Sequence, residues 1–207
     1  MRKKKIGWGI LVFLLTLVFI VGCNNDDETD DEEPFPKNDA VLTFKLEKNE
    51  YSNQKNESKG NQEQLSFTDL NTKFGSGLAI PVEGEKYTLK FKFFSDKDVA
   101  AFSDGTSILI SLIDTHVNSN GIDTYWFRRS QWDANVASTF DAASIKNVKK
   151  NTLISFIGTF TVTAPSTASG AQAGDSLDNY KLVFDMGVQP WNDEATLYFQ
   201  SFEFKRN

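Results

Sequence analysis

Cysteine and histidine are almost missing from this 207-residue chain: there is one of each, Cys23 and His116. A single cysteine excludes a disulfide framework within one chain, and the pair leaves almost no Cys/His ligand set for zinc. An excess of base is missing as well. Twenty-two basic residues stand against 28 acidic ones, a net charge of −6, so no cationic field exists to gather phosphates and no nucleic-acid partner is expected. No stretch holds helical periodicity for three turns, and no internal repeat is visible. What remains is 40% hydrophobic and 24% charged, with 18 phenylalanines, a composition suited to one folded domain and unlike a disordered chain.

The amino terminus is a targeting segment. Residues 1–5 carry four bases, and residues 6–22 form an apolar run that ends directly at Cys23. Ile20-Val21-Gly22-Cys23 resembles the bacterial lipobox, which implies a signal peptide over 1–22 and a diacylglycerol on the Cys23 thiol. An uncleaved anchor with an incidental cysteine is the alternative, since such a run lies at the lower edge of a spanning helix. Residues 24–33 then hold seven acids, no base and no apolar side chain, and read as a solvated tether. An acidic tract in this place resembles the signal that sends lipoproteins of Bacteroidetes-type bacteria to the outer face of the outer membrane; a plain spacer is the alternative. Three segments result: a signal peptide over 1–22, the lipidated cysteine and tether over 23–36, and a domain over 37–207. Without the four leader bases, 18 basic residues face 28 acidic ones, and setting aside the seven tether acids leaves 18 against 21. The acidity is mostly in the tether.

From residue 34 onward the pattern is all-β. Period-two runs rich in Phe, Val, Ile, Tyr and Thr are separated by Gly, Asn, Asp and Ser clusters. They predict about nine strands, at 40–48, 64–69, 77–82, 86–95, 106–114, 122–130, 153–164, 177–188 and 195–205, with a short helix or irregular edge within 133–151. Tyr87, Leu89, Phe91 and Phe93 alternate with Lys86, Thr88, Lys90 and Lys92, so one face is buried and one is wet. Ile108, Ile110 and Leu112 oppose Ser107 and Ser111 in the same way, and Leu182 and Phe184 oppose Lys181 and Asp185. Two packed antiparallel sheets with a Phe-rich interior, a β-sandwich of jelly-roll type, follow from these stripes.

The stretch Tyr180-Lys181-Leu182-Val183-Phe184-Asp185-Met186-Gly187 and, after a turn, Ala195 through Phe204 together resemble the closing hairpin of jelly-roll carbohydrate-binding modules, families 4 and 9 especially. Leu153 through Val162 is similar to the aromatic middle strand of that group, and Glu85 through Phe91 to its Gly-x-x-Tyr-x-Leu-x-Phe strand. The resemblance implies a galactose-binding-domain-like sandwich and a sugar ligand. In the family an Asp of the last strand often helps hold calcium; here Gln200-Ser201 stand in that place, and a Gln amide is a weaker calcium ligand than a carboxylate. No metal or other cofactor is expected.

A sugar site needs aromatic faces for pyranose C–H groups and polar neighbours for hydroxyls. Three tryptophans follow the leader: Trp126, Trp132 and Trp191. Alternation over 122–130 puts Tyr125, Phe127 and Arg129 on the core face and Trp126 and Arg128 on the wet concave face, with Trp132 just past the strand end. Trp191 and Gln189 sit in a polar turn at the rim, and His116 ends a strand. Burial of the tryptophans in the sandwich is the competing expectation. Arg128 suits an acidic polysaccharide, because an arginine fork binds carboxylate or sulfate in two places.

Catalysis is not expected. No pair of acids stands at i and i+2 or i+4 within an aromatic strand, as a glycosidase cleft needs, and no Gly-x-Ser-x-Gly elbow accompanies His116. The functional expectation is a lipid-anchored envelope protein that captures a polysaccharide or oligosaccharide without cleaving it, alongside glycan-degrading enzymes or transporters. The alternative is a structural or adhesive envelope protein of the same fold without a sugar site.

Overall fold

The computed structural model describes residues 32–46, 62–99, 104–117, 124–138, 141–164, 174–185 and 195–207, with backbone alone at 46, 62, 116, 117 and 124–127. Ten strands lie among them: β1 (Leu42–Leu46), β2 (Gln62–Ser66), β3 (Lys86–Ser95), β4 (Thr106–Val117), β5 (Thr124–Arg128), β6 (Ser130–Trp132), β7 (Ala143–Lys146), β8 (Ile154–Val162), β9 (Tyr180–Asp185) and β10 (Ala195–Arg206). Sheet A has the order β1-β10-β3-β8-β6; sheet B has the order β2-β9-β4-β5, with β7 also paired to β4. Every strand pairing is antiparallel. The fold is the predicted jelly-roll β-sandwich.

The alternating stripes meet between the sheets. Phe91 of β3 stacks on Phe156 of β8 with ring centroids 4.8 Å apart and reaches Phe184 of sheet B at 5.8 Å, while Phe44 of β1 meets Phe184 at 5.0 Å. Each such ring, fully withdrawn from water, contributes about 1.5–3 kcal/mol. The outer face of sheet A is wet, with Lys86 and Lys92 exposed beside Thr88. Its Tyr198 end is covered: Phe94 stacks on Tyr198 and takes the edge of Phe35 at 4.9 Å. The compact unit accordingly runs over Glu33–Asn207, and Phe35 belongs to it rather than to the tether.

Four departures from the sequence reading have local causes. Residues 67–69 leave the expected strand for a helix, α1 (Phe67–Phe74). Ser66 caps it by accepting from the Asp69 amide at 3.0 Å, the Asp69 carboxylate accepts from the Ser66 amide in return, and Gly75 ends it at φ +60. Its apolar residues plug one end of the sandwich: Phe67 lies against Tyr87, Tyr180 and Phe204, and Phe74 stacks on Phe202. Residues 77–82 form no strand, because the Leu78 backbone is satisfied by the Asn71 side chain at 2.6 and 2.9 Å. The region 133–151 supplies the edge strand β7. Finally, 122–130 is not one strand: the chain leaves sheet B after Arg128 and enters sheet A at Ser130.

One irregularity falls at the position where the family Asp was missed. The β10–β3 register shifts between Phe199 and Ser201, leaving Gln200 as the extra residue of a bulge, exposed like its neighbour Ser201.

Candidate functional site

Strand β4 is apolar on both faces, and its second face defines the site. Ile108, Ile110 and Leu112 point into the main core, but Leu109 and Ile113 lie on the opposite phase and are not part of that core. They are nevertheless only 7% and 4% exposed, and Val183 of β9, on the same outer face, is 3% exposed. The register arranges polar groups around them in rows. Gln64 of β2, Val183 and Ser111 share one row; Lys181, Ile113 and Arg128 share the next; Thr115 and Trp126 share a third; and Asp185, Leu109 and Ser144 lie on the other side. The middle of the outer face of sheet B is thus a second aliphatic layer already withdrawn from water, with Gln64, Lys181, Asp185 and Arg128 reaching solvent around it. The border groups are of the kind that exchange hydrogen bonds with sugar hydroxyls, and the buried layer beneath holds them in place.

The corner where the chain passes from β5 to β6 is held by a buried ion pair. Arg129 donates from Nη1 to Asp114 Oδ2 at 2.7 Å and from Nε to the Thr163 carbonyl at 2.6 Å; its amide donates to the Leu112 carbonyl at 2.8 Å. Asp114, with no exposed surface, also accepts from the Gly174 amide at 3.1 Å. The Gly174 carbonyl accepts from the Tyr180 hydroxyl at 3.1 Å, and the Arg129 guanidinium lies 5.8 Å from the centre of the Tyr180 ring. Burial, and then the charge of Asp114, push the Tyr180 phenol above its ordinary range, with Arg129 opposing. This network joins β4 and β9 of sheet B to the end of β8 in sheet A, and so fixes where Arg128 emerges.

The predicted site residues separate. Arg128 is exposed on the outer face of sheet B, and Trp126 holds the register position opposite Thr115 on the same face; its side chain lies outside the described residues. Arg129 faces inward, as the alternation requires. Trp132 is a correction. Because the chain changes sheets at Arg129, Trp132 turns into the core at 5% exposure, with its ring 4.6 Å from Phe160 and its indole N–H on Ser130 Oγ at 3.0 Å. His116 pairs with Tyr125, in the phase of the core-facing residues of β4 rather than with Trp126. Gln189, Trp191 and Cys23 lie outside the described residues.

Sequence reasoning missed Gln64, Leu109 and Ile113 as site residues, and it missed the Asp114–Arg129 pair. Both had a signal: Leu109 and Ile113 interrupt the polar phase of β4, and Asp114 and Arg129 are opposite charges on core phases.

No family model and no curated protein matches the chain. Among solved structures, a family 4 carbohydrate-binding module is similar at 13% identity, covering 80% of this chain and 94% of its own, with a TM-score of 0.35. A protein of Bacteroides thetaiotaomicron designated sugar-binding is similar at 12% identity, covering 81% and 89%, with a TM-score of 0.39. An alginate lyase of polysaccharide lyase family 7 is similar at 13% identity, covering 82% and 94%, with a TM-score of 0.27.

Proposed function

We propose that this chain is a non-catalytic glycan-binding protein whose ligand lies across the outer face of sheet B. The observation that carries the reading is the water-facing border of that face, Gln64, Lys181 and Arg128, with Trp126 at the register position opposite Thr115 beside it. In this reading Trp126 takes a sugar C–H face, and the border groups take the hydroxyls. Gln189 and Trp191 are proposed as further contacts of the same ligand. The fold displays the ligand rather than cutting it, since Asp114, the carboxylate nearest the corner, is committed to Arg129 and Gly174.

The anchor belongs to the same proposal. Cys23 carries the lipid, the acidic tract 24–33 spaces the domain from the membrane, and the protein faces outward from the outer membrane beside enzymes or transporters that use the captured glycan. Weak single sites gain strength from many copies on one surface. The burial of Trp132 favours the second reading, a structural or adhesive envelope protein without a sugar site.

Tryptophan fluorescence of the full chain in detergent, titrated with soluble β-glucans, xylans, mannans and acidic glycans, tests the reading. A saturable change with one polymer class, lost in Trp126→Ala while the fold persists, is expected. A flat response across all classes overturns glycan binding in favour of the structural protein.

A further inference from the structure

We infer that two copies of this chain pair through the free edge of β8, strand against strand, around a two-fold axis at Ser155. Hydrogen bonds fix which backbone groups of β8 face that edge. The Val162 amide donates toward β3, to the Glu85 carbonyl at 2.8 Å. On the other side the Thr163 amide donates to the Arg129 carbonyl and the Thr159 carbonyl accepts from the Asp133 amide, both at 2.9 Å. Even-numbered residues of β8 therefore bond to β3, and odd-numbered ones turn their N–H and C=O groups away from it. Strand β6 covers only residues 160–162, and Asp133 reaches Thr159. Beyond that level β8 stays paired with β3 as far as Ile154, but among the described residues nothing takes the outward backbone groups of Ser155 and Ile157.

This edge lacks the features that keep sheets apart. Residues 151–164 hold no charge and no proline, whereas the edge strands β1, β2 and β5 carry Lys45, Glu63 and Arg128. The side chains on its outer phase are Leu153, Ser155 and Ile157, and Ile157 is 62% and Leu153 42% exposed.

A second copy is the occupant that fits. An antiparallel pair centred on Ser155 sets Ser155 against Ser155, and Leu153 of each copy against Ile157 of the other. Residues so opposed exchange both of their backbone hydrogen bonds, with Cα atoms roughly 5.5 Å apart, and the exposed apolar side chains meet directly. On the inner face, Ile154 falls opposite Phe156 of the other copy. The paired segment ends at Asn151, whose φ of +51 turns the chain out of the strand where Asp133 of the other copy takes its place. Lys150 and Asp133, both exposed, are thereby brought level across the seam, opposite charges at each end of the pair. The two Lys92 residues, each beside a Ser155, stand three strand spacings apart, roughly 14 Å, past the Debye length of about 8 Å at physiological salt. The seam is short and the affinity correspondingly low; holding many copies on one surface strengthens it. The pairing is independent of any ligand.

The test reads the register by cross-linking. Full chain in detergent carries Cys23→Ala, which removes its one cysteine, so that introduced cysteines are the only thiols. Under mild oxidation, Ser155→Cys should form a covalent dimer at least about ten-fold faster than Lys92→Cys, which is exposed on the adjacent strand. Chains with Leu153→Cys should link to chains with Ile157→Cys and hardly to themselves, since two Leu153 residues lie roughly 13 Å apart along the seam. Adding Ile157→Lys to Ser155→Cys places a charge on the edge at an exposed position and should slow the link at least about ten-fold. If that variant does not fold, the cysteine pattern alone decides. Equal linking at positions 155 and 92 overturns the inference, as does Leu153→Cys linking to itself as fast as to Ile157→Cys. Linking at 155 that a folded Ile157→Lys variant leaves unchanged overturns it too.

Discussion

Replacing Arg129 by methionine keeps most of its apolar stem and removes the guanidinium, which isolates the contribution of the buried pair at the sandwich corner. Asp114 would then lose its cation while keeping the Gly174 amide, and the Thr163 carbonyl would lose a donor at 2.6 Å. Both partners are almost fully buried, at 3% and 0% side-chain exposure, so solvent cannot replace the missing cation. A carboxylate left in that position costs about 3–5 kcal/mol, a large share of the 5–15 kcal/mol that ordinarily separates folded from unfolded domains. For a unit of this size each kcal/mol moves the melting temperature by about 2–4 °C, so Arg129→Met should melt roughly 6–20 °C lower.

The double variant carries the sharper consequence. Asp114→Leu alone strands the guanidinium, but Asp114→Leu with Arg129→Met leaves no charge behind and should recover most of the loss, since apolar replacement of a buried pair is commonly neutral or stabilising. Urea unfolding of wild type, both singles and the double gives the coupling directly, with a shifted midpoint at constant slope marking a true stability change. A single variant that loses less than about 1 kcal/mol, or a double whose loss equals the sum of the two singles, would refute the reasoning.

Gly174→Ala should destabilise through the same corner by about 1–3 kcal/mol in urea, because a Cβ there would meet Asn179 Cβ at 2.4 Å and Asp114 Oδ1 at 2.7 Å. Alkaline titration followed at 295 nm should show that Tyr87 and Tyr180 ionise only as the protein unfolds, both phenols being held above their ordinary value, Tyr87 by burial and its hydrogen bond to Glu85. Their contribution is complete below about pH 10, where unfolded tyrosine ionises, and is lost as pH rises beyond it; all five tyrosines of the chain titrating near pH 10 in the folded protein would contradict this.

The sandwich was legible because its strands alternate. Strand β3 spans the predicted 86–95, and β8 and β10 fall within a residue or two of expectation, because buried apolar residues alternate with more exposed ones along most of their length, the Gln200 bulge of β10 aside. Elements that depend on single polar groups were harder to read. Helix α1 is two turns long and announces itself through the Ser66-to-Asp69 box and Gly75, not through periodicity. Residues 77–82 have an extended pattern but give their backbone bonds to the Asn71 side chain, a tertiary partner that spacing does not reveal. Trp132 went astray for a different reason: parity along a strand predicts a face only while the strand stays in one sheet, and Arg129 is where this one leaves.

Parity becomes more informative when it is followed to the exceptions. Along β4 the core phase holds Ile108, Ile110, Leu112 and then Asp114, an acid where an apolar residue is due. Along 124–129 the corresponding phase ends in Arg129. Opposite charges on two core phases require each other, since neither can be buried alone, and the structure joins them at 2.7 Å. The same logic separates the two outer faces. Sheet A presents Lys86, Lys90 and Lys92 outward to water, with Thr88 among them bonded to Asn207. Sheet B presents Leu109, Ile113 and Val183 outward, all under a tenth exposed. An aliphatic row on the second face of a strand is unfavourable unless something apolar rests against it. On sheet B that cover is already in place within the chain, since all three are nearly withdrawn from water, whereas on sheet A Ile157 stands exposed beside Lys90.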